Sequence, residues 1–493
     1  ESFGSGHYTY RLDDWVFTSD FAEEILNKHF GTKSLKGFGV TSLSEAVIAA
    51  GAIFHYLGES EHKKLDHITG ISRIEEDKYV WLDRFTIKNL ELVSSVNEQA
   101  KTLSDILDET QTAMGSRMLR RWIMLPLKNK KPIDARLEVV AFLKESETLG
   151  YELSQRLKNI GDLERLISKV AVGRVNPKEV AHLKKTLLEI PPLKALLDLK
   201  KKPKSLEDML QKLNPCSGLV ELINKTLCDE PVAQIGKGEV IRDGWNSELD
   251  ELRKIAYHGK DFLAQLQERE SERTGIPSLK IAFNNVFGYY IEVRNAHKDK
   301  VPEEWIRKQT LVNAERYITE ELKVYEQKIL GAEEKILSLE LRLFQELILE
   351  MANDISPIQM NAQILGRLDC LFSFSVIADK YTYCRPEINE GLSLDIEKGR
   401  HPVIEQALPV GENYISNDIH LNDQNQQIMM ITGPNMSGKS ALIRQTALIV
   451  IMAQMGCFVP AQKAQIGIVD KVFTRVGASD NISSGESTFM VEM

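Results

Sequence analysis

The apolar positions divide the chain into helical stretches, one β-forming interruption and a closing α/β pattern. Leu119, Trp122 and Ile123 recur at helical spacing, as do Leu163, Leu166, Ile167 and Val170. Gly115-Ser116 predicts the start of a helix through residues 117–124, with Pro126 stopping it. Residues 200–204 and 214–218 read as breaks between helices, and residues 15–89 as a small mixed or helical segment. A second helical tract is expected from about Trp245 to Glu272. Then the period changes: Leu279, Ile281 and Phe283 alternate, and residues 289–293 are aromatic and β-branched, so two strands are expected with a hairpin turn across Asn284-Asn285 and Gly288. Helix resumes near Thr319. Ile329, Ile336, Leu339, Leu343, Leu347 and Met351 carry one apolar stripe for a helix ~50 Å long. A small β-containing module is thus predicted at the tip of two long helices. After Pro386 the order is strand, loop, strand, glycine loop, helix, strand.

Composition narrows the class. The 493 residues are 43% hydrophobic and 27% charged, which excludes a collagen, a disordered tail and a small disulfide scaffold. The longest apolar run, residues 447–453, is far short of a membrane span, so no membrane partner is expected. Five scattered cysteines without a Cys-x-x-Cys pair, and no basic-then-apolar opening in residues 1–10, point to a reduced cytoplasmic compartment. The net charge of −9 speaks against nucleic acid, but it averages over domains.

The strongest chemical signal is Gly433-Pro-Asn-Met-Ser-Gly-Lys-Ser440, which fits Gly-x4-Gly-Lys-Ser/Thr. Residues 428–431 read as a buried strand leading into it and residues 441–455 as the helix leading out. Phosphate oxygens need several backbone N–H groups converging on one point; glycines let the chain curl, and the helix adds its positive end. Lys439 can then reach the β- and γ-phosphates and Ser440 can hold magnesium.

This loop resembles that of the MutS family of DNA mismatch repair ATPases. So do Phe473-Thr-Arg-Val-Gly-Ala-Ser-Asp480, the run 484–493, Gly399-Arg-His-Pro-Val403, Asp108 with Met114-Gly-Ser-Arg-Met-Leu119, Gly288-Tyr-Tyr-Ile291 and Gln309-Thr-Leu-Val-Asn-Ala-Glu-Arg-Tyr317, in the family's order across essentially the whole chain. The resemblance implies a multidomain protein: a mostly α-helical lever core, an inserted β-containing clamp and part of a P-loop α/β ATPase domain. The expected divisions are 1–90 (end of the connector and start of the core), 91–259 (lever core), 260–323 (clamp), 324–398 (returning helix and core) and 399–493 (first half of the ATPase). It implies ATP or ADP with Mg2+ as ligands, mismatched duplex DNA and a MutL-type protein as partners, and a homodimer of the intact protein.

Roles follow residue by residue. Gly433, Pro434, Asn435, Met436, Ser437, Gly438, Lys439 and Ser440 are expected to hold the phosphates, with Lys439 and Asn435 orienting the reaction and Ser440 on the metal. Tyr414, phenylalanine in many relatives, stands where the family stacks on adenine, with Ile415 beside it; a core tyrosine at a strand edge is the equal alternative. Ala441 replaces a common threonine without touching the metal hydroxyl. Ser487 resembles the serine that reaches the opposite subunit's nucleotide, or else caps a helix. Arg307, Lys308, Gln309, Thr310 and Asn313 are expected to touch the DNA backbone. From composition alone, seven basic against five acidic residues over 280–316 would be an ordinary solvated face. The denser run Arg117, Arg120, Arg121, Lys128, Lys130, Lys131 is expected to be mainly structural.

Phe21-Ala-Glu23 spells the family's mismatch-reading motif in a segment that resembles the region after the reader, so it is given no role. Asp470 is followed by Lys471 where the family's acidic pair would need glutamate. The chain is therefore expected to be a fragment lacking the reader and the second ATPase half, inactive in turnover by itself. Two rival readings stay open: a MutS-like recombination or ribosome-rescue ATPase, and a catalytically silent DNA-binding scaffold.

Overall fold

The computed structural model describes residues 11–32, 34–38, 40, 43–60, 65, 68, 70–71, 76–95, 100–284, 288–409, 411–434 and 437–474, without the side chains of 257–261 and 328–330. The chain is mostly helical with small sheets and divides into two compact units. One comprises Glu1–Arg174, Lys185–Cys216 and Asp354–Met493; the other comprises Val175–Lys184 and Ser217–Asn353.

In the first unit, helices α1 (Ser19–Phe30) and α2 (Ser44–Glu59) pack together through Ala22, Leu26, Val47 and Phe54. Phe21 is edge-on to Trp15 and His55, a packing role. A two-residue strand β1 (Trp81–Leu82) precedes the core helices α3 (Ala113–Met124), α4 (Lys130–Lys144) and α5 (Leu163–Ala171). The helix expected from Gly115 starts two residues earlier, because the Thr112 hydroxyl accepts from Gly115 N and caps it.

The second unit is built on α6 (Ser247–Thr274), a four-stranded sheet and α7 (Glu320–Met351). Asn246 and Thr319 cap the two helices, and left-handed Gly275 (φ +62°) ends the first. At 32 residues α7 is ~48 Å long. The two expected strands are present as an antiparallel pair, β2 (Lys280–Asn284) and β3 (Gly288–Arg294), with the turn residue Asn285 outside the described residues. Two further strands, β4 (Ile306–Thr310) and β5 (Ala314–Ile318), complete an antiparallel sheet in the order β2-β3-β5-β4. One face of this sheet and the helix ends share a core of Leu263, Leu266, Ile291, Val293, Trp305 and Tyr317.

Returning to the first unit, α8 (Ile355–Lys380) is its buried central helix and packs on α3, α4 and α5. Beyond it lie β6 (Glu387–Asn389), β7 (Leu394–Gly399), β8 (Asn417–Leu421), α9 (Lys439–Met455), β9 (Lys463–Gly467) and β10 (Lys471–Val472). The sheet order is β6-β9-β7-β8, and β10 pairs in parallel with β1. The buried strand expected at 428–431 is not formed: Ile428 and Met430 are 84% and 85% exposed. A central strand needs backbone partners on its edges, and among the described residues nothing pairs with this run.

Candidate functional site

The glycine loop opens directly into α9. Gly438 stands at the N-cap with φ +87° and has no side chain to cap the first helical turn, so among the described residues no N-cap side chain occupies the N–H groups there. A Cβ at Gly433 would lie 3.0 Å from Ser437 Oγ, so the loop closes tightly there. Lys439 Nζ donates to Gly433 O (2.8 Å) and Pro434 O (2.7 Å), which curls the loop around its ammonium. An incoming polyphosphate would compete with these two carbonyls for the lysine. Ser440 is half-buried in the first turn. Among the described residues no three His, Cys, Asp or Glu side chains cluster as a metal site. One hydroxyl with phosphate oxygens and water suits magnesium, which keeps most of its water. Asn435, Met436 and Ser487 lie outside the described residues.

Tyr414 is half-buried, and its hydroxyl donates to Gln445 Oε1 (3.0 Å) on α9. Burial and nearby Glu405 push that hydroxyl up to about 12. Its ring is therefore tied to the helix that carries Lys439, while Ile415 beside it is 83% exposed. His401 is buried; its Nδ1 accepts from Val403 N (3.3 Å) and Ile404 N (3.2 Å), and burial with Arg444 of α9 pulls it down to about 3. This neutral histidine holds the entry to the segment, a role spacing alone did not reveal.

The other candidate residues lie in the second unit. Strand β4 is the edge of its sheet, and pairing skips from Arg307↔Tyr317 to Gln309↔Arg316, leaving a bulge at Lys308. Arg307 Nη1 is 3.6 Å from Glu315, and Gln309 Oε1 accepts from Arg316 (2.9 Å), which also meets Glu292 and stacks on Tyr290. Lys308 is exposed and has no ion-pair partner among the described residues. Thr310 and Asn313 are exposed at the following turn, where Asn295 Nδ2 holds Val312 O. The structure thus brings all five predicted residues onto one edge, with Gln309 already engaged. A polar, charged edge also blocks strand-to-strand association, so its composition alone does not imply a ligand. In the denser run, Arg117 bridges Asp162 (2.8 Å) and Glu164 (2.5 Å), and Lys130 pairs with Asp134. Those two cations are internally compensated.

The fold is a helical core, a β module on two long helices, and a glycine loop that opens a helix. Family models make this specific: MutS domain III matches residues 85–375, MutS domain V residues 429–493 and MutS domain II residues 6–69. The chain belongs to the MutS family. It is 60% identical over 494 residues to the DNA mismatch repair protein MutS of Parabacteroides distasonis, and 58% and 57% identical to those of Bacteroides thetaiotaomicron and Flavobacterium psychrophilum. All of this chain is covered in each comparison, against 57% of the relative, so the chain spans little more than half their length. Among the described residues no helix is long and apolar enough to cross a membrane.

Proposed function

We propose that this chain is the lever, clamp and leading ATPase portion of a DNA mismatch repair ATPase, divided as 1–90, 91–259, 260–323, 324–398 and 399–493. The observation that carries the reading is the start of α9 at Gly438, without a side-chain cap among the described residues, with Lys439 drawn onto Gly433 O and Pro434 O. ATP is bound there. The N–H groups of the first turn and Lys439 neutralise its phosphates, Ser440 contributes a hydroxyl to Mg2+, and Tyr414 offers its ring to the adenine. Magnesium, held in part by Ser440, would supply charge neutralisation for the phosphates. The protein's own residues grip and orient the nucleotide; Asn435 and Ser487 are assigned by family resemblance.

The clamp holds duplex DNA by its backbone through Arg307, Lys308, Thr310 and Asn313, with Gln309 aligning Arg316. Such contacts position a duplex without reading its sequence. In the intact homodimer, nucleotide occupancy alters the grip of the clamps and presents a surface to a MutL-type partner, so ATP and DNA bias the same equilibrium. The names of the relatives support repair over recombination or ribosome rescue.

The test is duplex affinity with and without a non-hydrolysable ATP analogue and magnesium. A change of about fivefold or more is expected, the lower range of allosteric coupling. Duplex binding that ignores nucleotide at saturation would overturn the gating, and absence of salt-dependent duplex binding would overturn the clamp.

A further inference from the structure

The far end of α9, opposite the loop, is firmly held. Arg136, on α4, is buried, and its Nη1 donates to Met455 O (2.7 Å), the last carbonyl of α9. Its guanidinium lies over the Trp122 ring of α3 at 3.4 Å. Gly456 must be glycine here, because a Cβ would meet Arg136 Cβ at 2.5 Å and φ is +83°. A second tie lies beside the first. Leu127 N, between α3 and α4, donates to Gln454 O (2.9 Å). The Gln454 side chain donates to Leu127 O (2.8 Å) and Val469 O (3.0 Å) and accepts from Val469 N (3.0 Å).

A buried cation is a costly way to fasten a helix, since an apolar side chain of the same volume usually serves stability as well or better. Here the cation faces the negative end of a helix dipole whose positive end faces the nucleotide loop ~25 Å away. From Leu448 to Met455 the residues are buried, so the second half of the helix is closely packed.

We infer that Arg136 is a positioning residue: by gripping the C-terminal carbonyl of α9 it makes that helix a strut, and delivers a displacement caused at the loop to α3 and α4. Gln454 acts with it. The inference rests on the nucleotide reading of the loop and adds the route by which occupancy is felt in the helical core.

The experiment is hydrogen exchange on the full chain with and without magnesium and ATP, in the native protein and in Arg136→Met, Arg136→Lys and Gln454→Met, alongside nucleotide affinity. In the native protein nucleotide should slow exchange in residues 439–447 and, by about fivefold, in residues 113–144. Arg136→Met should bind nucleotide within about threefold of native, keep the response at 439–447 and lose that at 113–144. Arg136→Lys, which keeps a donor for Met455 O, should restore part of the distant response, a rescue that mere filling of space would not give. Gln454→Met should weaken the response and carries the test if Arg136→Met does not fold. Undiminished responses at 113–144 in the folded variants, or no distant response in the native protein, would overturn the strut and leave nucleotide binding standing. No nucleotide binding by the native chain would overturn both.

Discussion

Lys308→Ala tests the clamp most cleanly, because the bulge singles this residue out from its neighbours. Arg307 already faces Glu315 and Gln309 is held by Arg316, whereas Lys308 is exposed and unpaired among the described residues. A free ammonium that neutralises one phosphate contributes about 0.9 to the slope of log affinity against log salt. Near 0.1 M salt that corresponds to about 1 kcal/mol, a loss of roughly five- to tenfold. Gln309→Ala should disturb Arg316 but leave the salt slope unchanged, since no charge is removed. The assay is fluorescence anisotropy with labelled paired and mismatched duplexes at about 50 to 200 mM salt. Lys308→Ala should lower affinity alike on both duplexes and flatten both slopes. A loss confined to the mismatched duplex, or an unchanged slope, would refute the backbone-contact role.

Three other perturbations follow from the packing. Gly288→Ala should loosen the hairpin by about 1–2 kcal/mol from its φ of +74°, and further because the new Cβ would fall 1.6 Å from Glu326 Oε1, which accepts from Tyr289 N. Adding Glu326→Ala should recover the collision part, read as exchange of the 288–294 amides; equal exchange in native and variant would count against this. Gly115→Ala should cost about 2–3 kcal/mol in denaturant unfolding. Its Cβ would sit 2.2 Å from Asp369 Oδ2, a carboxylate held by Gln111 N, Thr112 N and Thr112 Oγ1. A cost under about 0.5 kcal/mol would contradict it. His401, lowered to about 3 from an ordinary 6.5, binds fewer protons folded than unfolded. Its contribution is therefore complete above pH 6.5 and is lost as pH falls from 6.5 towards 3, up to about 5 kcal/mol. Melting of His401→Asn should depend less on pH over that range than the native protein; parallel profiles would exclude His401 as the cause.

The long helices and the first hairpin were legible because their apolar periods are regular and their ends carry caps: Thr319 starts α7 and Gly275 ends α6. Strands β4 and β5 were not seen as strands. An edge strand reading Ile-Arg-Lys-Gln-Thr lacks the alternation of a half-buried strand, and its bulge breaks whatever period remains. Asn313, in the turn after it, was the available signal. The run at 428–431 misled in the opposite direction, since four apolar residues read as a buried strand only if partners exist to pair with them. In the loop, the Gly-x4-Gly-Lys-Ser spacing was readable, and the structure shows its lysine folded back onto Gly433 O and Pro434 O ahead of the helix. The tie from Tyr414 to Gln445, and the hold of Arg136 on Met455, join residues 31 and 319 positions apart, and no local pattern announces such contacts.

The central claim is that the loop of Gly433 to Ser440 binds a nucleoside triphosphate through Lys439. Titration of ATP and magnesium into the native chain and Lys439→Ala, by calorimetry, tests it most directly. Saturable binding is expected in the native chain. In the variant it should be weaker by about tenfold or more, the worth of a charged hydrogen bond, with duplex binding at low salt unchanged. No saturable binding by the native chain, or equal affinity in the two, would contradict the account.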